Sequence, residues 1–269
     1  MKRLRIPALP YQKFVILSHL RSGTHLLRSA LESHPSAVCQ SEVFNSDDPR
    51  LPYPLSTATD EVLRRWVYKA FPPQIEAAGF VMQVYHPRGL AAFPGIRENA
   101  GWADIWSRLE AMADLKVIHL RRENGLRRHL SHVMARETGE WHAWDRSLVD
   151  QVTHLEPPRV QDNVSRAGLA PVTLERERLA LDFEETERLH ARAAEIFQRH
   201  DYMALRYEDL VNDFAAVSER LLAFLDLPPR TLTAAVGKLD QRPLNEAIAN
   251  YSALRRDFAG TRWAAFFED

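Results

Sequence analysis

The chain has 269 residues, 45% of them hydrophobic and 26% charged, which is an ordinary composition for a globular protein with a buried core. Its 35 basic and 36 acidic residues give a net charge of −1, which excludes a global field that attracts nucleic acid. No apolar run is long enough to span a bilayer. We therefore expect one α/β domain over residues 1–269, whose anion sites are built from local clusters.

The only cysteine, Cys39, excludes an internal disulfide and indicates a reducing compartment, so we expect a cytoplasmic protein. The basic residues 2–5 are followed by Pro7 and Pro10 instead of the hydrophobic core of a signal peptide. Peripheral contact of this basic arm with acidic lipid headgroups stays open.

Short apolar runs alternate along the chain with segments of helical periodicity. The predicted strands cover residues 14–17, 37–40, 80–85, 116–120 and 203–207. The predicted helices cover residues 25–31, 61–70, 102–112, 123–138, 179–200 and 211–225. This alternation predicts a three-layer α/β fold, a mostly parallel sheet flanked by helices on both faces. Residues 141–172 lack a clear period and are interpreted as an irregular helical and loop excursion.

The carboxyl ends of parallel strands meet at one edge of a sheet, where ligands bind. Residues that follow the predicted strands are therefore expected to converge there. They are residues 18–24, 41–42, 86, 121–122 and 207–208. The set contains a polar loop, a carboxylate and a basic pair, which predicts a site for an anionic ligand.

The segment Ser-His-Leu-Arg-Ser-Gly-Thr-His at residues 18–25 lies between a strand and a helix. Free backbone N–H groups and the helix dipole favour an anion at such a turn. Gly23 allows close approach of the backbone, Ser22 and Thr24 offer hydroxyl donors, and Arg21 supplies a bidentate cation. The alternative is a helix N-cap with an incidental arginine.

This loop does not match the Walker A pattern G-x-x-x-x-G-K-[ST] of magnesium-dependent NTPases, because His25 follows Thr24 and the upstream glycine is missing. The strand at 116–120 ends in Arg121 and Arg122, where such an enzyme needs an acidic metal ligand. A pair of cations repels a metal and favours a second anion. We therefore expect no metal site.

Either or both of Arg121 and Arg122 can hold that second anion, and Ser131 adds a hydroxyl two helical turns later. We interpret Arg127 and Arg128 as a solvated basic helix face. Two anion sites on one sheet edge predict a nucleotide that carries separate 5′ and 3′ groups.

The run at 14–17 with Arg-Ser-Gly-Thr-His at 21–25 resembles the 5′-phosphosulfate loop of sulfotransferases that use 3′-phosphoadenosine-5′-phosphosulfate (PAPS). Residues 118–131 resemble their 3′-phosphate motif. The chain is most similar to rhizobial nodulation-factor sulfotransferases, a likeness that also covers His34-Pro35, Glu42 with Asn45, residues 206–210 and parts of residues 242–268. Residues 141–180 match poorly and are expected to shape acceptor choice.

The resemblance implies a P-loop-like sheet, PAPS as donor without a metal, and a carbohydrate or glycolipid acceptor. The donor-binding residues that we expect are Arg21, Ser22, Gly23, Thr24, His25, Arg121, Arg122, Ser131, Asn250, Tyr251 and Arg255. The last three belong to a tail that closes over the nucleotide or, equally, packs as a helix on the sheet.

The acceptor hydroxyl needs a base, and Glu42 follows the second strand at the matching point of the family. The imidazoles of His19, His25 and His86 are rivals, of which His86 is the strongest. We expect Arg21 to neutralise charge on the bridging oxygen of the donor.

Two other functions stay open: a magnesium-dependent small-molecule kinase, and a non-catalytic nucleotide-binding module. The tryptophans are weak candidates for stacking on sugar faces, since tryptophan is more often simply part of the core. They are Trp102, Trp106, Trp141 and Trp144.

Overall fold

A parallel sheet forms the centre of the protein. A computed structural model describes residues 9–46, 48, 51–93, 100–141, 143–149, 169–237 and 242–268. Its strands are β1 (Gln12–Ser18), β2 (Ala37–Gln40), β3 (Ala77–Gln83), β4 (Leu115–Arg121), β5 (Ala143–Trp144), β6 (Tyr202–Arg206) and β7 (Val236–Gly237). Five strands form the central sheet in the order β2-β3-β1-β4-β6 with every pair parallel, while β5 and β7 pair antiparallel.

Helices follow the strands of the central sheet. They are α1 (Thr24–Glu32), α2 (Thr59–Val62), α3 (Ile105–Glu110), α4 (Gly125–Thr138), α5 (Arg146–Val149), α6 (Arg176–Ile196), α7 (Tyr207–Asn212), α8 (Phe214–Phe224), α9 (Leu244–Ala247) and α10 (Tyr251–Asp257). A π-helical turn at Leu63–Val67 continues α2, and 3-10 turns cover Ala100–Trp102 and Ala264–Phe267. Within the described residues, no helix has the length and apolarity needed to cross a membrane.

The central strand β1 feeds two separate cores because its side chains alternate between the faces of the sheet. Val15 and Leu17 pack in one core with residues of α3 and α6. Phe14 and Ile16 pack in the other with residues of α1 and α8. Helices thus cover both faces, and the predicted three-layer α/β fold is confirmed.

The third strand begins three residues earlier than the sequence predicted and ends at Gln83 instead of Tyr85. The start Ala77-Ala78-Gly79 has poor intrinsic strand character, but the sheet needs small residues there. A Cβ built on Gly79 would lie 2.3 Å from the carbonyl oxygen of Phe14. Close backbone approach therefore outweighed local propensity.

The predicted helix at 211–225 was wrong as a single element. It is two helices, α7 and α8, separated at Asp213, whose carboxylate accepts a hydrogen bond from the backbone N–H of Ala216 at 3.2 Å and caps α8. The predicted irregular excursion contains β5 and α5, and its residues 150–168 lie outside the described part of the chain.

Replacing Gly79 with alanine is expected to destabilise the protein by about 1–3 kcal/mol, because the added methyl group overpacks the β1–β3 contact. Urea unfolding of Gly79→Ala measures this loss. Gly237→Ala is the matched control, since a Cβ at Gly237 meets nothing within 4 Å. Equal stability of the two variants would contradict the packing argument.

Candidate active site

The carboxyl edge of the sheet opens on a cavity of about 1440 Å³. The loops after β1, β2, β3, β4 and β6 all contribute to its wall, as expected for a parallel sheet. The predicted site residues that line it are Arg21, Gly23, Thr24, His25, Glu42, His86, Arg122 and Ser131. The structure thus brings most of the predicted site together.

The loop between β1 and α1 has the backbone shape of an anion-binding turn. Arg21 and Gly23 take positive φ angles of 60° and 88°. A Cβ on Gly23 would lie 2.4 Å from Cδ2 of Tyr207, so only glycine fits there. The hydroxyl groups of Thr24 and Ser18 lie 2.8 Å apart. The buried hydroxyl of Ser22 has no hydrogen-bond partner in the described part of the chain, which leaves it available to a ligand.

The two predicted anion sites meet at Arg21. The guanidinium of Arg122 donates to the backbone carbonyl of Arg21 at 3.3 Å and lies 4.6 Å above the ring of Tyr207. The guanidinium of Arg21 donates to the hydroxyl of Ser131 at 3.1 Å and to the carbonyl of Trp141 at 2.6 Å. Burial lowers the pKa of Arg122, although an arginine keeps its charge in proteins.

Arg121 does not share this cavity. Neighbouring residues of a strand point to opposite faces. The side chain of Arg121 is 46% exposed, lies 3.8 Å from the carboxylate of Glu123 and lines a separate recess. The sequence left open whether Arg121, Arg122 or both hold the second anion. Of the two arginines, only Arg122 lines the cavity.

The interpretation of Arg128 as a solvated residue was wrong. Its side chain is 1% exposed and donates at 2.5 Å to Asp182 and at 2.9 Å to Nδ1 of His19. Burial alone would raise the pKa of Asp182, but Arg128 and His129 hold it well below the usual range. The charged pattern of α6 hid this inward carboxylate. Arg127, in contrast, lines the cavity.

Glu42 sits in the cavity wall with its carboxylate held by two amides. Gln83 donates to one oxygen at 2.5 Å and Asn45 to the other at 3.1 Å. Burial raises the pKa of Glu42. The sequence pattern did not identify Gln83 as a site residue, because the predicted strand extended beyond it to residue 85. A polar residue at the end of a buried strand is nevertheless a signal for a site.

The rival bases lie in different surroundings. His86 is 7% exposed, its Nδ1 has no hydrogen-bond partner among the residues described, and burial lowers its pKa to about 3. His19 is fully buried behind the loop and bonded to Arg128, while His25 lines the cavity.

The predicted tail residues are not brought to the cavity. The amide of Asn250 exchanges two hydrogen bonds with the backbone of Leu174, at 2.8 and 3.1 Å. The hydroxyl of Tyr251 donates to the carbonyl of Phe267, and Arg255 is exposed on α10. The tail is thus packed, as in the alternative that the sequence left open, but it packs with residues of α4 and α6 and not on the sheet.

The four candidate tryptophans also lie in different surroundings. Trp102 and Trp106 belong to the core, whereas Trp141 is 41% exposed and lines the cavity. The side chain of Trp144 lies outside the described part of the structure.

Fold and site together define a P-loop-like α/β protein with a cationic cavity at the carboxyl edge of its sheet. The chain is 30% identical to nodulation protein H of Rhizobium tropici over 260 residues, 96% of this chain and 93% of the relative. It is 28% identical to nodulation protein H of Rhizobium meliloti strain 1021 over 264 residues, 97% and 96% of the two chains. The chain belongs to the nodulation protein H family of sulfotransferases.

No protein-family model matches the chain. Among solved structures, a sulfotransferase from Alicyclobacillus acidocaldarius aligns over 97% of this chain and 96% of its own, with a TM-score of 0.49 and 16% sequence identity.

His132 provides a test of the buried surroundings of the cavity. It lines the cavity and is 2% exposed, and neither ring nitrogen has a hydrogen-bond partner within the described ranges. Burial, with Arg21 second, lowers its pKa to about 3. An unfolded histidine takes up its proton near pH 6.5, so the stability that neutral His132 contributes is present above about pH 6.5 and lost as the pH falls towards 3.

We expect His132→Leu to reduce the acid sensitivity of the unfolding free energy between pH 6 and 4.5 by about one proton, or about 1.4 kcal/mol per pH unit. Urea unfolding at several pH values measures the slope. A slope equal to that of the wild type would show that His132 is protonated in the folded protein.

Proposed function

We propose that the protein transfers a sulfuryl group from PAPS to a hydroxyl of a carbohydrate or glycolipid acceptor by in-line displacement. The observation that carries this proposal is that Arg21, Arg122 and the carboxylate of Glu42 all line one cavity. The sequence likeness to nodulation protein H supports it.

The residues present fit the donor. Gly23 shapes the turn through its positive φ of 88°, and the Ser22 hydroxyl, which has no partner among the described residues, is a ready donor. We assign the 5′-phosphosulfate to the loop of Arg21 to Thr24, and the 3′-phosphate to Arg122 with Ser131. Arg121, Asn250, Tyr251 and Arg255 receive no donor contact in this proposal because they lie outside the cavity.

PAPS supplies the sulfuryl group: a bond forms between sulfur and the acceptor oxygen, the bond to the 5′-phosphate breaks, and adenosine 3′,5′-bisphosphate leaves. Arg21 places positive charge where the leaving oxygen gains negative charge. Glu42 takes the proton of the acceptor hydroxyl. Its raised pKa makes it a stronger base than an ordinary carboxylate, whereas the pKa of about 3 makes His86 a weaker base than an ordinary imidazole.

The acceptor is proposed from the shape and polarity of the cavity. Pockets for one drug-sized ligand are roughly 300–1000 Å³, so about 1440 Å³ leaves space for a nucleotide and a sugar together. Trp141 offers an exposed aromatic face at its wall, near Ala143 and Leu148, which supports assigning residues 141–180 to the acceptor side. The buried, unpaired thiol of Cys39 is compatible with a cytoplasmic reaction.

Glu42→Gln is expected to lower kcat about 10²- to 10⁴-fold, because the amide cannot accept the acceptor proton. Transfer from ³⁵S-labelled PAPS to chito-oligosaccharides, lipopolysaccharide and phenols, with EDTA present, measures the loss. His86→Asn is the matched control at the rival base. A dependence on His86 instead of Glu42 would reverse the assignment, and an absolute requirement for Mg²⁺ would favour the kinase.

Arg122→Ala is expected to weaken binding of adenosine 3′,5′-bisphosphate about 10- to 100-fold, the loss of one charge-assisted hydrogen-bonded contact. Calorimetry measures the affinity. Arg121→Ala, the neighbouring arginine outside the cavity, should bind nearly as the wild type does. If Arg121→Ala carries the larger loss, the 3′-phosphate lies in the other recess.

A further inference from the structure

The side-chain amide of Gln83 makes a hydrogen bond through its nitrogen and, among the described residues, none through its oxygen. The residue lies at the end of β3, is 2% exposed and lines the cavity. Its Nε2 donates to Oε1 of Glu42 at 2.5 Å. Its Oε1 is buried and has no hydrogen-bond partner among the residues that the structure describes. Buried carbonyl oxygens without a partner are rare in folded proteins, so this one is expected to accept a hydrogen bond from water or from a ligand.

The orientation of this amide follows from its neighbour. An ionised carboxylate only accepts hydrogen bonds, and Asn45 already donates to the second oxygen of Glu42 at 3.1 Å. The nitrogen of Gln83 must therefore face Glu42, and its oxygen must face away from it. The hydrogen-bond acceptor left over at Gln83 can be satisfied only by an incoming O–H or N–H group.

The carboxylate of Glu42 and the carbonyl oxygen of Gln83 both accept hydrogen bonds. They are separated only by the amide nitrogen of Gln83, which contacts Glu42. A ligand that satisfies both needs two hydrogen-bond donors separated by a short distance. Two hydroxyls on the same or adjacent part of a sugar ring meet this demand, whereas an isolated hydroxyl satisfies Glu42 and leaves Gln83 unpaired.

We propose that Gln83 is a positioning and specificity residue that accepts a hydrogen bond from a second hydroxyl of the acceptor. The acceptor class of this site is then a diol, sulfated at the hydroxyl that faces Glu42. The inference rests on the proposed function of the cavity in sulfuryl transfer. Gln83 also holds the carboxylate of Glu42, which fixes the direction from which the reacting hydroxyl enters.

The test compares acceptors with and without the second hydroxyl. The first probe is chitotetraose, or whichever sugar of the panel the wild type sulfates fastest, with the position of transfer found by mass spectrometry. Its partner is the analogue in which the hydroxyl nearest that position is replaced by hydrogen. For the wild type, kcat/KM should fall about 10- to 100-fold with the analogue, because a buried acceptor is left unpaired.

Gln83→Met has a side chain of similar length without an acceptor oxygen. Its kcat/KM with the full sugar should fall by a similar factor, and its kcat/KM with the analogue should be no lower than that. Gln83→Asn keeps an amide with both a donor and an acceptor, and it should retain more of the discrimination than Gln83→Met does. Asn45→Leu is the matched control: it also removes a donor to Glu42, and so shifts the acidic limb of the kcat/KM profile to higher pH, but it should keep the discrimination of the wild type.

The outcomes separate the two proposals. If Gln83→Met discriminates between the full sugar and the analogue as strongly as the wild type does, the proposed role of Gln83 is wrong and the sulfotransferase function still stands. Absence of transfer from the wild type to every sugar would overturn the carbohydrate function and the diol together. Stabilisation by adenosine 3′,5′-bisphosphate shows that each variant is folded. If the Gln83→Met variant lacks it, the proposal is judged on Gln83→Asn, whose failure to discriminate also counts against the proposal.

Discussion

The packing of Tyr207 fixes the position of Arg122 relative to the loop that carries Arg21. Its ring fills the space beside Gly23 that a side chain would need, and the guanidinium of Arg122 stacks 4.6 Å above the same ring. The next residue, Glu208, accepts hydrogen bonds from the backbone N–H groups of Glu123 and Asn124, at 3.1 and 3.3 Å. The end of the edge strand β6 thus supports the loops that follow both β1 and β4.

The protein builds a cationic cavity although its basic and acidic residues nearly cancel. It does so by placing acids beside the arginines that lie elsewhere. Arg128 is paired with Asp182 in the interior, and Arg206 with Asp209 at the surface. Exposed pairs of the second kind add little stability, whereas the first kind keeps a charge from lying uncompensated in the core.

The sequence predicted the features that arise from local pattern. Short apolar runs located every strand of the central sheet, and the polar turn with Gly23 located the loop between β1 and α1. It did not predict features that depend on distant partners. The start of β3 depends on Phe14 approaching Gly79, the burial of Arg128 depends on Asp182, and the position of Asn250 depends on Leu174. No periodicity records such pairings, because each joins residues that are far apart in the chain.

The contacts of Arg21 connect it to another part of the cavity wall. Its guanidinium is already engaged by the Ser131 hydroxyl and the Trp141 carbonyl. These bonds use two of the five N–H donors of the guanidinium, so an anion that binds Arg21 shares it with the backbone carbonyl of Trp141 on the wall of the same cavity. Under the proposed function, donor binding at Arg21 and the position of Trp141 are therefore linked thermodynamically.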